Sequence, residues 1–292
     1  MLTGSFVALV TPMLKDGSID WQALEHLIHW HIEQGTDAIV ITGTTGESAT
    51  LSTTEHYAVI EAAIKIVNRK IPVIAGTGAN ATSEAIALTR DAEKLGADAC
   101  LLVAPYYNKP TQEGLYQHYK AVAESVAIPQ ILYNVPGRTA CDIGTETVLR
   151  LAELDNIAGI KEATGDLERA RTLIKKCPDG FAIYSGDDFT AIDLILSGGH
   201  GSISVTANLI PAELASLVKT ALSGNQQKAQ TIQNNIMPLH QALFVESNPI
   251  PVKWALSYLR RIQPYMRLPL TPLDNKYQTQ VKQALAASGL TQ

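Results

Sequence analysis

The sequence contains few cysteines, and their spacing excludes two common uses of this residue. The chain of 292 residues has three, Cys100, Cys141 and Cys177, and no two of them form a Cys-x-x-Cys pair. An odd number of widely spaced cysteines argues against a disulfide framework and against paired metal-binding thiolates. We therefore expect free thiols in a reducing compartment, with the cytoplasm as the predicted location.

Basic tracts and long apolar runs are absent as well. The 23 Lys and Arg residues are outnumbered by 28 Asp and Glu, which gives a net charge of −5, and the basic residues form no stripe. A nucleic-acid partner is therefore not expected. The apolar stretch near the N-terminus is too short to span a membrane and follows no basic segment, so neither a signal peptide nor a membrane helix is predicted.

The residue types that usually bind metals form no motif. His26, His29 and His31 cluster in the first predicted helix, but their spacing does not place three imidazoles on one face. No His-Glu-x-x-His sequence and no matching Cys/His set occurs, so we expect no metal site. The composition, with 46% hydrophobic and 17% charged residues, instead predicts a folded protein with a large core.

Eight short apolar runs are what the sequence does contain. Each is bounded by Gly, Pro, Asn, Asp or Thr and is continuous rather than alternating, which is typical of parallel strands covered on both faces. The runs occupy residues 5–10, 38–42, 72–76, 99–103, 130–134, 157–161, 181–185 and 201–205.

Amphipathic segments with helical spacing lie between these runs. They cover residues 20–34, 82–95, 113–126, 145–153, 166–176, 187–197 and 211–223. Strands that alternate with helices in this way predict an α/β fold, a (β/α)8 TIM barrel over residues 1–224. An open doubly wound sheet is the alternative, although the Gly-rich fingerprint that usually follows its first strand is missing.

The strand pattern stops after about residue 225. Residues 226–244, 250–260 and 274–288 have helical spacing instead. We therefore predict a small C-terminal helical region over residues 225–292.

Polar residues follow the predicted strands at the ends where a barrel of this type carries its active site. Because the carboxyl ends of parallel strands meet at one mouth, we expect segments far apart in the sequence to converge there. These segments are residues 43–48, 76–80, 105–110, 133–138, 161–166, 185–188 and 204–208.

The segment GTTGES (43–48) allows two interpretations. It lacks the Gly-Lys-Ser/Thr of a P-loop, and GTGAN (76–80) lacks the third glycine of a dinucleotide fingerprint. Both segments can be ordinary tight turns. Alternatively, the N–H groups and hydroxyls of Thr44 and Thr45 form a cradle for a small carboxylate.

Lys161 ends the apolar run IAGIK and also allows two interpretations. A lysine at a strand end commonly extends its ammonium to water. In a barrel, however, a strand-end lysine points into the mouth, where apolar walls disfavour the charged form and leave a free amine as nucleophile. An amine that attacks a ketone gives a Schiff base, which stabilises an adjacent carbanion as an enamine.

Such chemistry needs groups that move protons and bind the substrate. Tyr133 ends the neighbouring strand, and Tyr107 and Thr44 could complete a chain of hydroxyls that needs no histidine. The alternative for a tyrosine here is an interfacial position with a satisfied hydroxyl. Arg138 suits a second carboxylate bidentately, or else forms a surface salt bridge.

Three acidic residues near the strand ends are not assigned to catalysis. Asp187 and Asp188 are expected to cap the helix that begins after the seventh strand. Glu162 follows Lys161 directly and should point to the opposite side of the strand, so it is not the predicted partner of that amine.

Six segments resemble the dihydrodipicolinate synthase family, which belongs to the superfamily of Schiff-base aldolases typified by N-acetylneuraminate lyase. GTTGE, YNxP and the lysine strand are shared across that superfamily, whereas YYNKP, the GRT after YNVP and NPIPVK point more narrowly to this family. The segments are GTTGESATL (43–51), PYYNKPTQEGLYQHY (105–119), ILYNVPGRT (131–139), GIKEATGD (159–166), GGHGSISVTAN (198–208) and FVESNPIPVKWAL (244–256).

The resemblance implies a reaction. Lys161 would form a Schiff base with pyruvate, whose enamine condenses with aspartate semialdehyde and cyclises to 4-hydroxy-tetrahydrodipicolinate. This is the first committed step toward diaminopimelate and lysine. A homotetramer built as a dimer of dimers is implied, without a metal or an organic cofactor.

The resemblance also implies roles for individual residues. Thr44, Tyr133 and Tyr107 would form the proton relay, with Tyr107 reaching in from a neighbouring subunit, and Arg138 would bind the carboxylate of aspartate semialdehyde. The residues implied to hold and position the substrate are Thr45, Gly186 and Ile203.

A feedback site for lysine at the tight dimer interface is implied as well. At Thr53 the sequence departs from the lysine-sensitive bacterial members, which often carry histidine there. We nevertheless expect inhibition by lysine, because His56 and Glu84 can bind the carboxylate and ammonium of an amino acid. The matching positions are Ser48, Ala49, His56, Asn80, Glu84 and Tyr106.

Two alternative functions remain open. Another pyruvate-dependent lyase, acting on N-acetylneuraminate or a keto-deoxy sugar acid, would share Lys161 and Tyr133 but would need contacts to sugar hydroxyls rather than Arg138. A metabolite-binding protein on a retained aldolase scaffold would instead be expected to lack the lysine or the relay, and neither is lost here.

Overall fold

Eight parallel strands form a closed barrel in a computed structural model that describes residues 1–291. Each strand pairs with the next along the chain, and β8 pairs with β1 to close the ring. The strands are β1 (Gly4–Ala8), β2 (Ala38–Ile41), β3 (Val73–Gly76), β4 (Ala99–Val103), β5 (Gln130–Asn134), β6 (Ile157–Glu162), β7 (Ala182–Ser185) and β8 (Gly201–Ser204). All eight predicted strands are present, and the TIM-barrel prediction is confirmed over an open sheet.

Helices surround the barrel and continue beyond it. Nine belong to the barrel and three follow it, as predicted for the C-terminal part, within the described residues. They are α1 (Trp21–Glu33), α2 (Thr53–Val67), α3 (Thr82–Leu95), α4 (Gln112–Ala123), α5 (Pro136–Thr139), α6 (Thr145–Leu151), α7 (Leu167–Lys176), α8 (Ala191–Leu196), α9 (Pro211–Leu222), α10 (Gln226–Ala242), α11 (Ile250–Tyr258) and α12 (Asn275–Ala287).

The ends of several helices follow from the local sequence. Asp20 caps α1, since its carboxylate accepts a hydrogen bond from the Ala23 N–H at 3.0 Å. Gly96 ends α3 in the left-handed conformation, at the residue where the sequence predicted the end. Helix α2 was not identified from its periodicity, although Ser52 and Glu55 form a capping box at its start.

The core has two layers that follow the alternation of side chains along each strand. Alanine, branched aliphatic and aromatic residues fill the barrel interior, where the Tyr184 ring lies 5.2 Å from that of Phe6. The other face of each strand packs against the helices, so Leu132 lies in the outer layer while its neighbours Ile131 and Tyr133 face inward. Inward-pointing residues at the ends of strands therefore lie at the barrel mouth.

The seam between β1 and β8 requires a glycine. Gly201 has φ +153° and sits against Gly4, so that a Cβ atom at position 201 would lie 2.1 Å from the Gly4 carbonyl oxygen. No side chain can be placed at this distance, and glycine is therefore needed for the ring to close.

Beyond the barrel, α10 packs on α9 and α12, and α11 packs on α12. The boundary between residues 224 and 225 stays a prediction. No helix within residues 1–291 is long and apolar enough to cross a membrane. The three cysteines are free thiols, two of them buried.

Asn208, in the turn after β8, links this turn to the end of β1 by hydrogen bonds. Its side chain accepts a hydrogen bond from the Val10 N–H at 3.1 Å and donates to the carbonyls of Ala8 and Val205 at 2.8 and 2.9 Å. Asn208→Ala leaves buried backbone groups unpaired, which should lower the free energy of unfolding by about 3 kcal/mol in urea titrations. Asn235→Ala, at an exposed site on α10, is the control and should stay within about 0.5 kcal/mol of wild type. Equal effects of the two substitutions would contradict this role of Asn208.

Candidate active site

Lys161 and Tyr133 face each other at the mouth of the barrel. The two residues are paired in the register of β5 and β6, and both side chains point inward. Lys161 is only 5% exposed, and its Nζ lies 4.2 Å from the centroid of the Tyr133 ring. The amine is therefore held on a rigid strand among apolar and aromatic groups, rather than extended to water.

Gly186, which follows β7, leaves room for the stem of this lysine. A Cβ atom at position 186 would lie 2.8 Å from Cε and 2.9 Å from Cγ of Lys161, and 2.7 Å from Cβ of Ala163. Any larger residue would displace the lysine. Ile203 on β8 is buried in the same interior layer and contributes to its apolar wall.

Glu162 points away from the amine, as predicted. Its carboxylate lies in the outer layer, where it accepts hydrogen bonds from the Thr164 N–H at 2.8 Å and from the Asn134 side chain at 3.2 Å. Burial raises the pKa of this carboxyl, against the effect of these donors. No hydrogen bond joins it to Lys161 within the described residues.

The prediction that Asp187 and Asp188 cap the next helix was wrong. Helix α8 begins later, at Ala191. Asp187 holds the turn before it, by accepting hydrogen bonds from the Thr190 N–H and hydroxyl. Asp188 is buried and accepts from the N–H groups of Val205 and Thr206, both at 3.1 Å. A carboxylate there fixes the loop after β8 rather than a helix end.

The segment GTTGES forms a tight turn after β2. The Glu47 N–H donates to the Thr44 carbonyl at 3.1 Å, and the Ser48 N–H donates to the Gly43 carbonyl at 3.3 Å. Thr45 is buried, and its hydroxyl accepts a hydrogen bond from the side chain of Asn248 at 2.9 Å. Thr44 is half-buried and lines a cavity at the mouth.

Arg138 lines the same cavity from the short helix α5. Its Nη2 donates to the Asn248 carbonyl at 3.1 Å, so Asn248 connects this guanidinium with Thr45. Lys161 and Tyr133 do not line the cavity themselves. It borders them through Val103, the register partner of Tyr133, and through Val135.

Asn248 is a site residue that the sequence reasoning did not single out. It precedes α11, in the segment NPIPVK that carried part of the family resemblance. The residue is buried, and its Oδ1 has no hydrogen-bond partner among the described residues although it borders the cavity. Only the family resemblance pointed to this segment. The periodicity of the sequence cannot reveal a residue such as Asn248, which approaches the mouth from outside the barrel.

Tyr107 is not brought to the other relay candidates within the chain. It follows β4 with φ +75° and is 88% exposed, so its ring cannot be buried beside Lys161 in a single subunit. Its backbone N–H donates to the Thr139 carbonyl at 3.2 Å, which fixes the loop but leaves the ring on the surface.

Five of the six residues matched to a lysine site line the same cavity. His56 is 5% exposed, its Nδ1 has no hydrogen-bond partner within residues 1–291, and burial lowers its pKa. Asn80 does not line the cavity, but its side chain donates to the Tyr106 carbonyl at 3.2 Å. The lining members of this set are Ser48, Ala49, His56, Glu84 and Tyr106, together with Thr53.

Metal-binding clusters do not occur in the part of the chain that the structure describes. No group of three or more His, Cys, Asp or Glu residues there is arranged to hold an ion. The side chains at the mouth and along the cavity include an amine, hydroxyls, a guanidinium, an imidazole and two carboxylates.

Known proteins of one family resemble the chain along its whole length. The family model described as "Dihydrodipicolinate synthetase family" matches residues 1–288. A Cellvibrio japonicus protein named 4-hydroxy-tetrahydrodipicolinate synthase is 62% identical over 290 residues, which cover 99% of this chain and 100% of that protein. One of the same name from Alcanivorax borkumensis is 58% identical over 290 residues, covering 99% of each.

Solved structures agree with these relatives. The chloride-inhibited dihydrodipicolinate synthase from Acinetobacter baumannii, complexed with pyruvate, is 56% identical, with a TM-score of 0.99 and full coverage of both chains. The enzyme from Cyanidioschyzon merolae with lysine bound is 41% identical, with a TM-score of 0.96 over 99% of both chains. The chain therefore belongs to the dihydrodipicolinate synthetase family.

Proposed function

We propose that this chain is a 4-hydroxy-tetrahydrodipicolinate synthase, which condenses pyruvate with L-aspartate 4-semialdehyde through a Schiff base on Lys161. The observation that carries the proposal is the buried amine of Lys161, packed against the Tyr133 ring in a space that Gly186 leaves open. The relatives with this name, and a solved structure complexed with pyruvate, support the choice of substrates.

The amine performs the chemistry by nucleophilic attack. Its lone pair adds to the ketone carbon of pyruvate, and loss of water leaves a protonated imine, which withdraws electrons from the methyl group. Removal of a methyl proton then gives an enamine. The enamine carbon attacks the aldehyde carbon of the second substrate, whose oxygen takes up a proton. The amino group of that substrate then adds to the imine carbon, which closes the ring, and the Lys161 amine leaves with a proton.

Hydroxyl groups move the protons that these steps require. In the proposed relay, Tyr133 serves as acid and base next to the amine, and Thr44 and Tyr107 pass protons onward. The position of Tyr133 supports this role, because its ring already contacts Lys161. Proton transfer by a positioned group contributes about 10²–10⁴-fold to a rate, so the relay is a substantial part of catalysis.

Two sets of donors are assigned to the two substrate carboxylates. Thr45 and the adjacent N–H groups of the turn bind pyruvate, with Gly186 and Ile203 shaping its pocket. Arg138 binds the carboxylate of the semialdehyde, for which its exposure at the cavity and its planar guanidinium are suited.

A second subunit completes the site in this proposal. Tyr107 is an exposed aromatic residue on a fixed loop, which is expected of a side chain that enters a neighbouring subunit. We propose a homotetramer built as a dimer of dimers, and sedimentation analysis at assay concentrations measures the assembly directly. A monomer that is fully active would overturn this part of the proposal.

Borohydride trapping with pyruvate tests the Schiff base. Wild-type protein incubated with pyruvate and borohydride should gain mass on the peptide that contains Lys161, and Lys161→Ala should gain none. Tyr133→Phe is the matched variant, because it keeps the ring against the amine while slowing turnover by about 10²–10⁴-fold. Absence of an adduct in the wild type would falsify the mechanism and favour a metabolite-binding protein.

Replacement of Arg138 tests the second substrate. Arg138→Ala should lower kcat/KM for aspartate semialdehyde by about 10–150-fold, since a hydrogen bond to a charged group contributes about 1.5–3 kcal/mol. Trapping with pyruvate should persist in this variant. The wild type should not cleave N-acetylneuraminate or keto-deoxy sugar acids; cleavage of either at a rate above the condensation would identify a sugar-acid lyase instead.

Inhibition by L-lysine tests the second site on the cavity. We expect lysine in the roughly millimolar range to lower the condensation rate. Coupling between two sites typically changes an affinity by about 5–150-fold, which is large enough to measure in this assay. The related structure with lysine bound supports this expectation. Glu84→Gln should weaken inhibition, and Glu61→Gln, at a half-exposed position on α2, should not. Unchanged activity across this lysine range would contradict the proposed inhibition by lysine.

A further inference from the structure

A buried ion pair lies behind the GTTGES turn. Lys253 on α11 is 1% exposed, and its ammonium contacts the carboxylate of Glu47, which is also buried. The same ammonium donates to the Thr11 carbonyl at 3.0 Å. The pair therefore connects the helical region after the barrel with the turn that carries Thr44 and Thr45.

The carboxylate of Glu47 is held on both of its oxygens. Lys253 occupies one, and the Arg267 N–H donates to the other at 3.2 Å. The Arg267 guanidinium is fixed in turn by the Gly17 carbonyl at 2.8 Å. Charge-assisted hydrogen bonds of this kind are directional, so they define where the carboxylate sits and not only that it is buried.

Glu47 belongs to the GTTGES turn itself. Its backbone adopts a left-handed conformation, with φ +56°, and its N–H donates to the Thr44 carbonyl. Next to it, the Gly46 carbonyl accepts a hydrogen bond from the Thr11 hydroxyl at 2.7 Å. The side chain of Glu47 is therefore anchored outside the turn, while its backbone is hydrogen-bonded to Thr44, so a shift of residue 47 would be transmitted to the peptide unit of Thr44.

We infer that Glu47 and Lys253 are positioning residues for the reaction, which hold the turn so that Thr44 and Thr45 meet the substrate bound to Lys161. The inference rests on the proposed function, in which those two threonines relay protons and bind pyruvate. Lys253 does not line the cavity, and Glu47 does, but both oxygens of its carboxylate are engaged by Lys253 and the Arg267 N–H. Neither residue is therefore assigned a contact with the substrate.

Stability alone does not explain a pair of this kind. Replacing a buried ion pair by uncharged residues of similar volume is often neutral or stabilising, because the desolvation of two charges offsets their attraction. A directional contact to a turn provides what uncharged residues cannot, a fixed position for its backbone. The double variant Glu47→Gln/Lys253→Met therefore separates the two roles.

The experiment measures stability, pyruvate trapping and steady-state kinetics in the same variants. The double variant should unfold near the wild-type midpoint, yet its kcat/KM for pyruvate should fall about 100-fold, since a displacement of about 1 Å can cost that much in rate. The KM for pyruvate should rise, and borohydride trapping at low pyruvate should slow in parallel. If the double variant does not fold, Glu47→Gln alone is the second variant. Its amide oxygen can still accept from Lys253, but its amide nitrogen cannot accept from the Arg267 N–H, so the KM for pyruvate should rise as well, by less than in the double variant.

Controls distinguish positioning from a general loss of folded protein. Leu217→Ala opens a cavity in α9, where this leucine is buried. It should lower the unfolding midpoint while leaving the KM for pyruvate unchanged. Lys65→Met removes an exposed ion pair on α2 and should change neither quantity.

The outcomes separate this inference from the proposed function. If the wild type traps pyruvate and turns over, but the double variant has the wild-type KM or behaves like Leu217→Ala, the positioning role is wrong and the function stands. If the wild type itself traps no pyruvate, the proposed function fails first.

Discussion

Closure of the strand ring between β1 and β8 is the constraint on which the rest of the structure depends. Because all eight strands run parallel, their carboxyl ends lie on one rim, and because the ring is closed, side chains of one parity face a single interior. Gly201 permits the close approach of the two end strands, and Asn208 secures it. Without closure, Lys161 on β6 and Thr44 after β2 would lie four strands apart along one side of an open sheet, instead of bordering a common interior.

Most of the fold could be predicted because its signals are local. Each strand is a short apolar run with a polar end, and the capping of α1 by Asp20 and the end of α3 at Gly96 are properties of a few neighbouring residues. Helix α2 was not predicted because apolar residues also occupy its half-buried face and a histidine lies on its buried face. Both features weaken the helical periodicity of apolar residues in this segment. Asp188 was misassigned because its partners are in the loop after β8, and no local pattern reveals them.

The residues of the candidate site also fall into those that the sequence could predict and those that it could not. Lys161, Tyr133 and the turn at Thr44 could be predicted, since strand ends of a barrel converge whatever their distance along the chain. Asn248, Lys253 and the space above Gly186 could not be derived from periodicity, because each depends on which residues approach from another part of the fold. The family resemblance included the segment of Asn248 and Lys253 without revealing what these residues contact.

The tight enclosure of Lys161 has an entropic consequence. A lysine side chain loses up to about 2 kcal/mol of rotamer freedom when it is ordered. Here Gly186 leaves a channel that fits the methylene stem, and the Tyr133 ring bounds its tip. The amine is thus already ordered when the chain folds, and this loss of side-chain entropy lowers the free energy of unfolding of the barrel. The reaction with an incoming ketone then requires no further ordering of the nucleophile, which favours the reaction.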